Sequence, residues 1–136
     1  MKTTNKKSGF SLVEMIVVIV IIGIIAAIAV PKLLSTKDEA MASSIKQDIA
    51  TAVSAIRSYY LMNGTITSIN QAVNLNNKNW AFPDNDLTAT FSETNPCVTI
   101  KVTPPNLTVT LDTTNDGSVC AKLEAAGVTT QVYALK

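Results

Sequence analysis

The chain has 136 residues, of which 47% are apolar, and a formal net charge of +1. This length suits one domain rather than two, and the near-neutral charge argues against strong nucleic-acid binding. The sequence contains no histidine, so it lacks the commonest general base and the commonest metal ligand. It also shows no glycine-rich phosphate loop, nucleophile elbow or metal-ligand cluster. We therefore expect a protein that is not an enzyme and needs no cofactor or metal.

An apolar block occupies residues 10–30 and contains a single charged residue, Glu14. A helix of this length spans roughly 32 Å, enough to cross the hydrocarbon core of a bilayer. Isoleucine and valine favour strands in water, but a segment in lipid must satisfy its own backbone hydrogen bonds, so a helix is expected. Lysines precede the block at positions 2, 6 and 7. They predict a cytoplasmic N-terminus and export of the chain after residue 31.

Three interpretations of this block compete. It is typical of a plain signal anchor. It is also typical of a cleaved signal peptide, because Ala27-Ile28-Ala29 matches a small-x-small cleavage site, and cleavage there would release a soluble periplasmic binding module. The third interpretation is a segment that is processed and then assembled, and Glu14 favours it. A carboxylate within an apolar span costs on the order of a few kcal/mol, and a signal peptide gains nothing from it.

Residues 6–14, KKSGFSLVE, carry a specific resemblance. They are similar to the class III signal of type IV prepilins and of type II secretion pseudopilins. In that family a membrane aspartyl peptidase cleaves after the glycine and methylates the new N-terminal phenylalanine. The resemblance implies that residues 1–9 are a leader, that Gly9 is the cleavage residue and that Phe10 is the N-methylated first residue. It also places Glu14 at the position of the family's assembly glutamate.

A physical role for Glu14 follows from the same arrangement. Removing residues 1–9 gives Phe10 a positive α-amino group and leaves eight basic and ten acidic residues, a net charge of −2. An unpaired charge in an apolar helix bundle is expensive, whereas a paired charge costs much less. We expect Glu14 of an incoming subunit to pair with the amine of its neighbour and set the axial register. The carboxylate has two alternatives: it reaches the headgroup zone, or it pairs with its own terminus.

Gly23 and Pro31 also fall at family positions, and residues 6–31 show no departure from the pattern. Pro31 has no N–H, so the hydrogen bond to the Ala27 carbonyl is lost, and Gly23 lowers helix stability further. The sequence predicts a bend or local melting between residues 23 and 31, unless Pro31 only marks the membrane exit. The resemblance implies that this stretch unwinds on assembly and makes the filament extensible.

Residues 32–62 keep a helical period. Their apolar positions step by three and four: Met41, Ile45, Ile49, Ala52, Val53, Ile56 and Tyr59 or Tyr60. Asn63-Gly64 is a good helix stop. We therefore predict one helix over residues 10–62. Its transmembrane and assembly half is residues 10–31, and its amphipathic half, residues 32–62, lies along a globular domain formed by residues 63–136.

The globular domain begins with a polar stretch, residues 65–96, for which we expect irregular structure apart from a helical turn at 68–73. Trp80 and Phe82 are expected to pin this stretch to the domain. From residue 97 the apolar period becomes two, which predicts an antiparallel hairpin over 97–111.

After the hairpin, the sequence predicts a short helix capped by Ser118 and stopped by Gly127, followed by a last strand from Val128 to Leu135. The fold class is therefore α+β. The resemblance implies the pilin fold, a long N-terminal helix packed on an antiparallel sheet of three or four strands.

The two cysteines, Cys97 and Cys120, are too far apart for a thioredoxin-like pair and too few for a structural zinc site. Behind an export signal they most simply predict one disulfide, with free buried thiols as the alternative. Asp112, Asp116 and Ser118 supply oxygen atoms in a turn, and the resemblance raises the question of calcium. Their spacing does not fit an EF-hand loop, so a solvated turn is favoured.

The resemblance implies a structural function, as a subunit of a type IV pilus or of a pseudopilus serving adhesion, motility, DNA uptake or protein secretion. Burial of Met15–Val30 against like segments would drive assembly. Expected partners are copies of itself or related subunits, the prepilin peptidase, an inner-membrane assembly platform with its ATPase, and membrane lipid before assembly. The subunit is expected in the inner membrane first and in a periplasmic or cell-surface filament afterwards. The lack of a recognisable major-pseudopilin loop after Asn63-Gly64 favours pilus or minor-pilin use.

Overall fold

The structure is a computed structural model that describes residues 9–83, 86–93, 95–114 and 117–136. Its elements are, in chain order, α1 (Leu12–Asn63), a 3-10 turn (Ile69–Gln71), β1 (Trp80–Ala81), β2 (Thr88–Ser92), β3 (Pro96–Thr103), β4 (Asn106–Leu111), α2 (Ser118–Ala125) and β5 (Gln131–Ala134). The chain divides into two compact units, one ending at Thr36 and one beginning at Lys37. The expected α+β class is confirmed.

The long helix predicted over residues 10–62 is confirmed as α1, Leu12–Asn63. Gly64 ends it with a φ of 73° and donates its N–H to the Tyr60 carbonyl at 2.8 Å. The helix continues through Gly23 and Pro31, so the structure does not melt there. A proline removes only one bond of the ladder, and the bonds of the turns on either side remain. The predicted bend and the unwinding on assembly stay predictions.

The sheet is a five-stranded antiparallel meander with the order β1-β2-β3-β4-β5. The predicted hairpin is confirmed: β3 pairs with β4, with Val102 opposite Leu107 and Ile100 opposite Val109. These four side chains lie on one buried face, as the period of two predicts. The five strands exceed the expected three or four, because the short strands β1 and β2 were not predicted.

The expectation of irregular structure over residues 65–96 is therefore wrong for its second half. In β2, Ala89 and Phe91 point inward and alternate with threonines, and β3 supplies the partner that fixes this register. The expected pinning role of Trp80 is supported, because its side chain is only 2% exposed and its ring lies 6.1 Å from that of Phe91. Phe82 is partly buried against the same core. The predicted helical turn is confirmed as the 3-10 turn.

The predicted short helix is confirmed as α2, but its cap differs from the expectation. Gly117 is the N-cap and Ser118 is the first helical residue. At the other end Gly127 has a φ of 83°, and Val128 N–H donates to the Leu123 carbonyl at 3.0 Å. This closing bond holds Val128 at the helix end, so β5 begins later than the predicted strand.

The core of the second unit forms between one stripe of α1 and one face of the sheet. The stripe consists of small and aliphatic residues at helical spacing, Ala42, Ile45, Ile49, Ala52, Val53 and Ile56. Cys97 in β3 and Cys120 in α2 are both 1% exposed and form a disulfide with an S–S distance of 2.06 Å. The predicted pairing is confirmed, and it ties the helix that follows the hairpin to the first strand of that hairpin.

Candidate processing and assembly site

The residues predicted for processing lie just before α1. Phe10 is 77% exposed, and a methyl group built on Gly9 would meet no atom within 4 Å. Within the described residues, nothing therefore obstructs the peptide bond that joins them. The lysines of the predicted leader and Ser8 lie outside the described residues.

Glu14 lies in the first turn of α1. The first intrahelical bond runs from Met15 N–H to the Ser11 carbonyl at 3.2 Å, which makes Ser11 the N-cap residue and Glu14 the third helical residue. A carboxylate here is stabilised by the partial positive charge of the helix N-terminus. The Glu14 side chain is exposed. Within the described residues it has no hydrogen bond and no ion pair.

The surface of α1 from Met15 to Val30 is apolar all round. Large apolar side chains from Phe10 to Leu34 are 46% to 77% exposed. Among the described residues, α1 is the one helix long and apolar enough to cross a membrane. Burying a fully exposed side chain of this kind gains roughly 1.5–3 kcal/mol, and these partly exposed side chains each gain a part of that when they are covered. A continuous apolar surface of this extent requires a cover of lipid or of other protein.

Three of the predicted site residues lie close together near the start of the described chain, and the disulfide joins two others, Cys97 and Cys120. Gly9 and Phe10 lie just before α1 and Glu14 lies in its first turn, so cleavage after Gly9 would create an amine within about one helical turn of the carboxylate. Gly23 and Pro31 lie further along the same helix. A methyl group built on Gly23 meets nothing within 4 Å, so no packing contact in this structure requires glycine there.

A polar network at the start of α2 was not predicted from the sequence. Ser118 Oγ donates to Asp38 Oδ2 at 2.7 Å and lies 3.2 Å from Glu93 Oε1. Glu93 Oε2 accepts the Val119 N–H at 3.1 Å, so this carboxylate caps α2 in place of the N-cap residue. The partners are separated by 25 to 80 residues in the chain. No local sequence pattern could have identified the network.

In the turn for which calcium binding was considered, a carboxylate oxygen of Asp112 already accepts hydrogen bonds from within the turn. Asp112 Oδ1 accepts hydrogen bonds from both the N–H of Thr114, at 2.9 Å, and its hydroxyl, at 2.6 Å. These bonds hold the pKa of the Asp112 carboxyl below its ordinary value. Asp116 lies outside the described residues. In the part of the chain that the structure describes, no three acidic, cysteine or histidine side chains are grouped to hold a metal ion.

Comparison with known proteins gives one family match and several relatives. Residues 4–30 match the family model of the prokaryotic N-terminal methylation motif, which confirms the type of signal predicted from residues 6–14. Core protein G of the type II secretion system of Escherichia coli (strain K12) is 38% identical over 73 residues, 54% of this chain and 50% of that protein. The protein of the same name from Pseudomonas aeruginosa is 39% identical over 69 residues, 51% of this chain and 49% of that protein.

A further relative, core protein G of the type II secretion system of Aeromonas hydrophila, is 38% identical over 81 residues, 59% of this chain and 57% of that protein. The chain thus spans about half the length of the curated relatives it matches. No solved structure matches it significantly. This chain therefore carries the prokaryotic N-terminal methylation motif and, over about half of its length, is similar to core protein G of type II secretion systems.

Proposed function

We propose that this chain is a structural subunit of a pseudopilus-type filament. The carrying observation is the exposed Glu14 in the first turn of α1, which has no hydrogen bond or ion pair within the described residues and lies inside the stretch that matches the methylation motif. A carboxylate at the head of an otherwise apolar helix is costly unless a cation joins it. The amine of Phe10 on an adjacent copy supplies that cation after processing. The complete absence of histidine supports a structural rather than an enzymatic role.

Before assembly, the first part of α1 would be held in the inner membrane as a single span, with the N-terminus in the cytoplasm. The exposed apolar surface from Phe10 to Leu34 supports this location, and the preceding lysines support this orientation. Assembly then exchanges lipid for the apolar helices of other copies. A prepilin peptidase and an inner-membrane assembly platform with its ATPase are the remaining proposed partners.

The relatives described above are secretion-system proteins. Their names favour a role in protein secretion. The lack of a recognisable major-pseudopilin loop after Asn63-Gly64 favours the other role, in a pilus or as a minor pilin, and we give the names more weight. The relatives and the methylation motif together support a filament that works within the cell envelope.

Substituting Glu14 tests the proposed role. In cells that make the assembly machinery, Glu14→Ala is expected to be inserted and cleaved normally but to be absent from sheared filaments, because the paired charge is lost. Ser11→Ala, in the same helical turn and without a change of charge, is the matched control and is expected to assemble. Incorporation of Glu14→Ala at the wild-type level, measured by immunoblotting of the sheared fraction, would contradict the proposal.

Mass spectrometry of the mature N-terminus tests the processing step independently. The expected N-terminal residue is methylated Phe10. A mature chain that begins at Val30 would instead support the alternative, a soluble periplasmic module released by a signal peptidase after Ala29. A chain that retains its leader and never polymerises would contradict both.

A further inference from the structure

The second unit carries a groove beside the last strand of the sheet, with a volume of about 590 Å³. We call it the β5 groove. Its main walls are Ile49, Val53, Arg57 and Leu61 from α1 and Val109 and Tyr133 from the sheet. The four helical residues recur at every fourth position, so they form one row along α1. A volume of this size is within the range of ligand-binding clefts, and Leu61 is 65% exposed at one end of it.

The charged residues that line the β5 groove are all positive. Its lining includes two cations, Lys46 and Arg57, and no acidic residue. Lys46 Nζ donates to the Ala126 carbonyl at 2.6 Å, so it is engaged at the end of α2. Arg57 is exposed and has no hydrogen bond or ion pair within the described residues. A guanidinium beside apolar walls is suited to a partner that brings a carboxylate.

The adjoining strand presents an open edge. Within the described part of the chain, β5 pairs with β4 alone. Leu135 N–H donates to the Pro105 carbonyl at 2.9 Å, and this pair continues the register in which Tyr133 lies opposite Leu107. Hydrogen-bonded and non-hydrogen-bonded pairs alternate in an antiparallel ladder. Because Leu135 and Tyr133 belong to hydrogen-bonded pairs with β4, Val132, next to Tyr133, belongs to a non-hydrogen-bonded pair. Its N–H and C=O therefore point away from β4, to the open edge beside the β5 groove.

We propose that the β5 groove and the open edge of β5 together bind an extended peptide strand from another protein. The strand pairs its backbone with Val132 as a sixth strand. Alternate side chains, which are apolar, then enter the groove against Val53 and Leu61, and a carboxylate on the same face pairs with Arg57. Backbone pairing at a sheet edge supplies affinity, and the pockets for alternate side chains supply selectivity. This binding depends only on the second unit and is independent of the proposed filament function.

Selection from a peptide library identifies the partner chemistry. Full-length protein in lipid nanodiscs is panned with a displayed library of random dodecapeptides, after removal of binders to empty nanodiscs. The expected binders have apolar residues at alternate positions and at least one acidic residue on the same face. Failure to enrich any sequence, or enrichment of basic or non-alternating sequences, would overturn the proposal.

Variants then locate the bound peptide. Arg57→Glu is expected to weaken binding of a fluorescein-labelled selected peptide at least about tenfold, since it replaces attraction by repulsion. Lys101→Glu, a charge reversal at an exposed position of β3 outside the groove, is the matched control and is expected to bind normally. Ser54→Phe, which fills the groove, and Val132→Pro, which removes the outward N–H, are each expected to abolish binding. Equal binding by wild type and Arg57→Glu would overturn the assignment.

Hydrogen exchange distinguishes strand pairing from simple burial. The selected peptide is expected to slow exchange of the Val132 amide at least about tenfold, because that amide becomes part of a ladder. Binding that leaves this amide unprotected would overturn the strand model. Self-association that requires Arg57 in the absence of peptide would overturn it in favour of a second copy as the occupant.

Discussion

Removal of the Cys97–Cys120 disulfide is expected to destabilise the second unit strongly. The two residues are separated by 23 positions, so the bridge closes a loop of about 24 residues in the unfolded chain. The chain-entropy model gives about 3.4 kcal/mol for a loop of this length at 25 °C. This raises the unfolded population about 300-fold, because 1.36 kcal/mol corresponds to a factor of ten. For a unit of this size, the melting temperature is expected to fall by roughly 14–27 °C.

The assay uses the double variant Cys97→Ala/Cys120→Ala in full-length protein held in nanodiscs. Trp80 is the single tryptophan of the chain and is 2% exposed, so its fluorescence reports unfolding of this unit during a urea titration. Adding a reductant is expected to shift the wild-type midpoint toward that of the variant and to leave the variant unchanged. A variant within about 0.5 kcal/mol of the wild type, in a two-state transition, would refute the loop-entropy reasoning.

Three smaller perturbations test contacts in the same unit. Gly117→Ala places a methyl group 2.5 Å from Glu93 Oε2, so the capping carboxylate must move, and urea titration is expected to show a loss of about 1 kcal/mol; an unchanged midpoint would show that the cap is dispensable. Trp80→Phe removes the indole N–H that donates to Asp48 Oδ2 at 2.9 Å, and a loss of about 2 kcal/mol or more is expected in thermal unfolding followed by circular dichroism. The hydrogen bonds to Asp112 lower its pKa below 3.8 in the folded state, so its stabilising contribution is present above that pH and is lost as the pH falls through the folded value. The stability difference between wild type and Asp112→Ala should accordingly shrink on acidification below about pH 4, and a difference that stays constant would contradict this assignment.

Some elements could be predicted because their signals are local. The helix α1 follows from an apolar block joined to a three-and-four pattern and a terminal Asn63-Gly64, and the β3–β4 hairpin follows from strict alternation. The strands β1 and β2 could not be predicted with the same method. In β2 only Ala89 and Phe91 are buried, and two apolar positions do not establish a period of two until β3 supplies a register.

The candidate processing site was accessible to sequence reasoning because Gly9, Phe10 and Glu14 lie within six consecutive residues. The network around Ser118 and the β5 groove were not accessible. Each depends on the packing of elements that are far apart in the chain, and their polar members read as ordinary surface residues. Ser118 shows the difficulty well: its type suggested a helix cap, but its hydroxyl bonds to carboxylates on other elements.

The meander order of the sheet bears on how the second unit forms. Among the described residues, each strand pairs with the strand next to it in the chain. Contacts of short sequence separation cost little loop entropy and form early. When the part of the chain after residue 31 is exported in chain order, each strand arrives next to a neighbour that has already been exported. The strands are then exported in the same order in which they join the sheet.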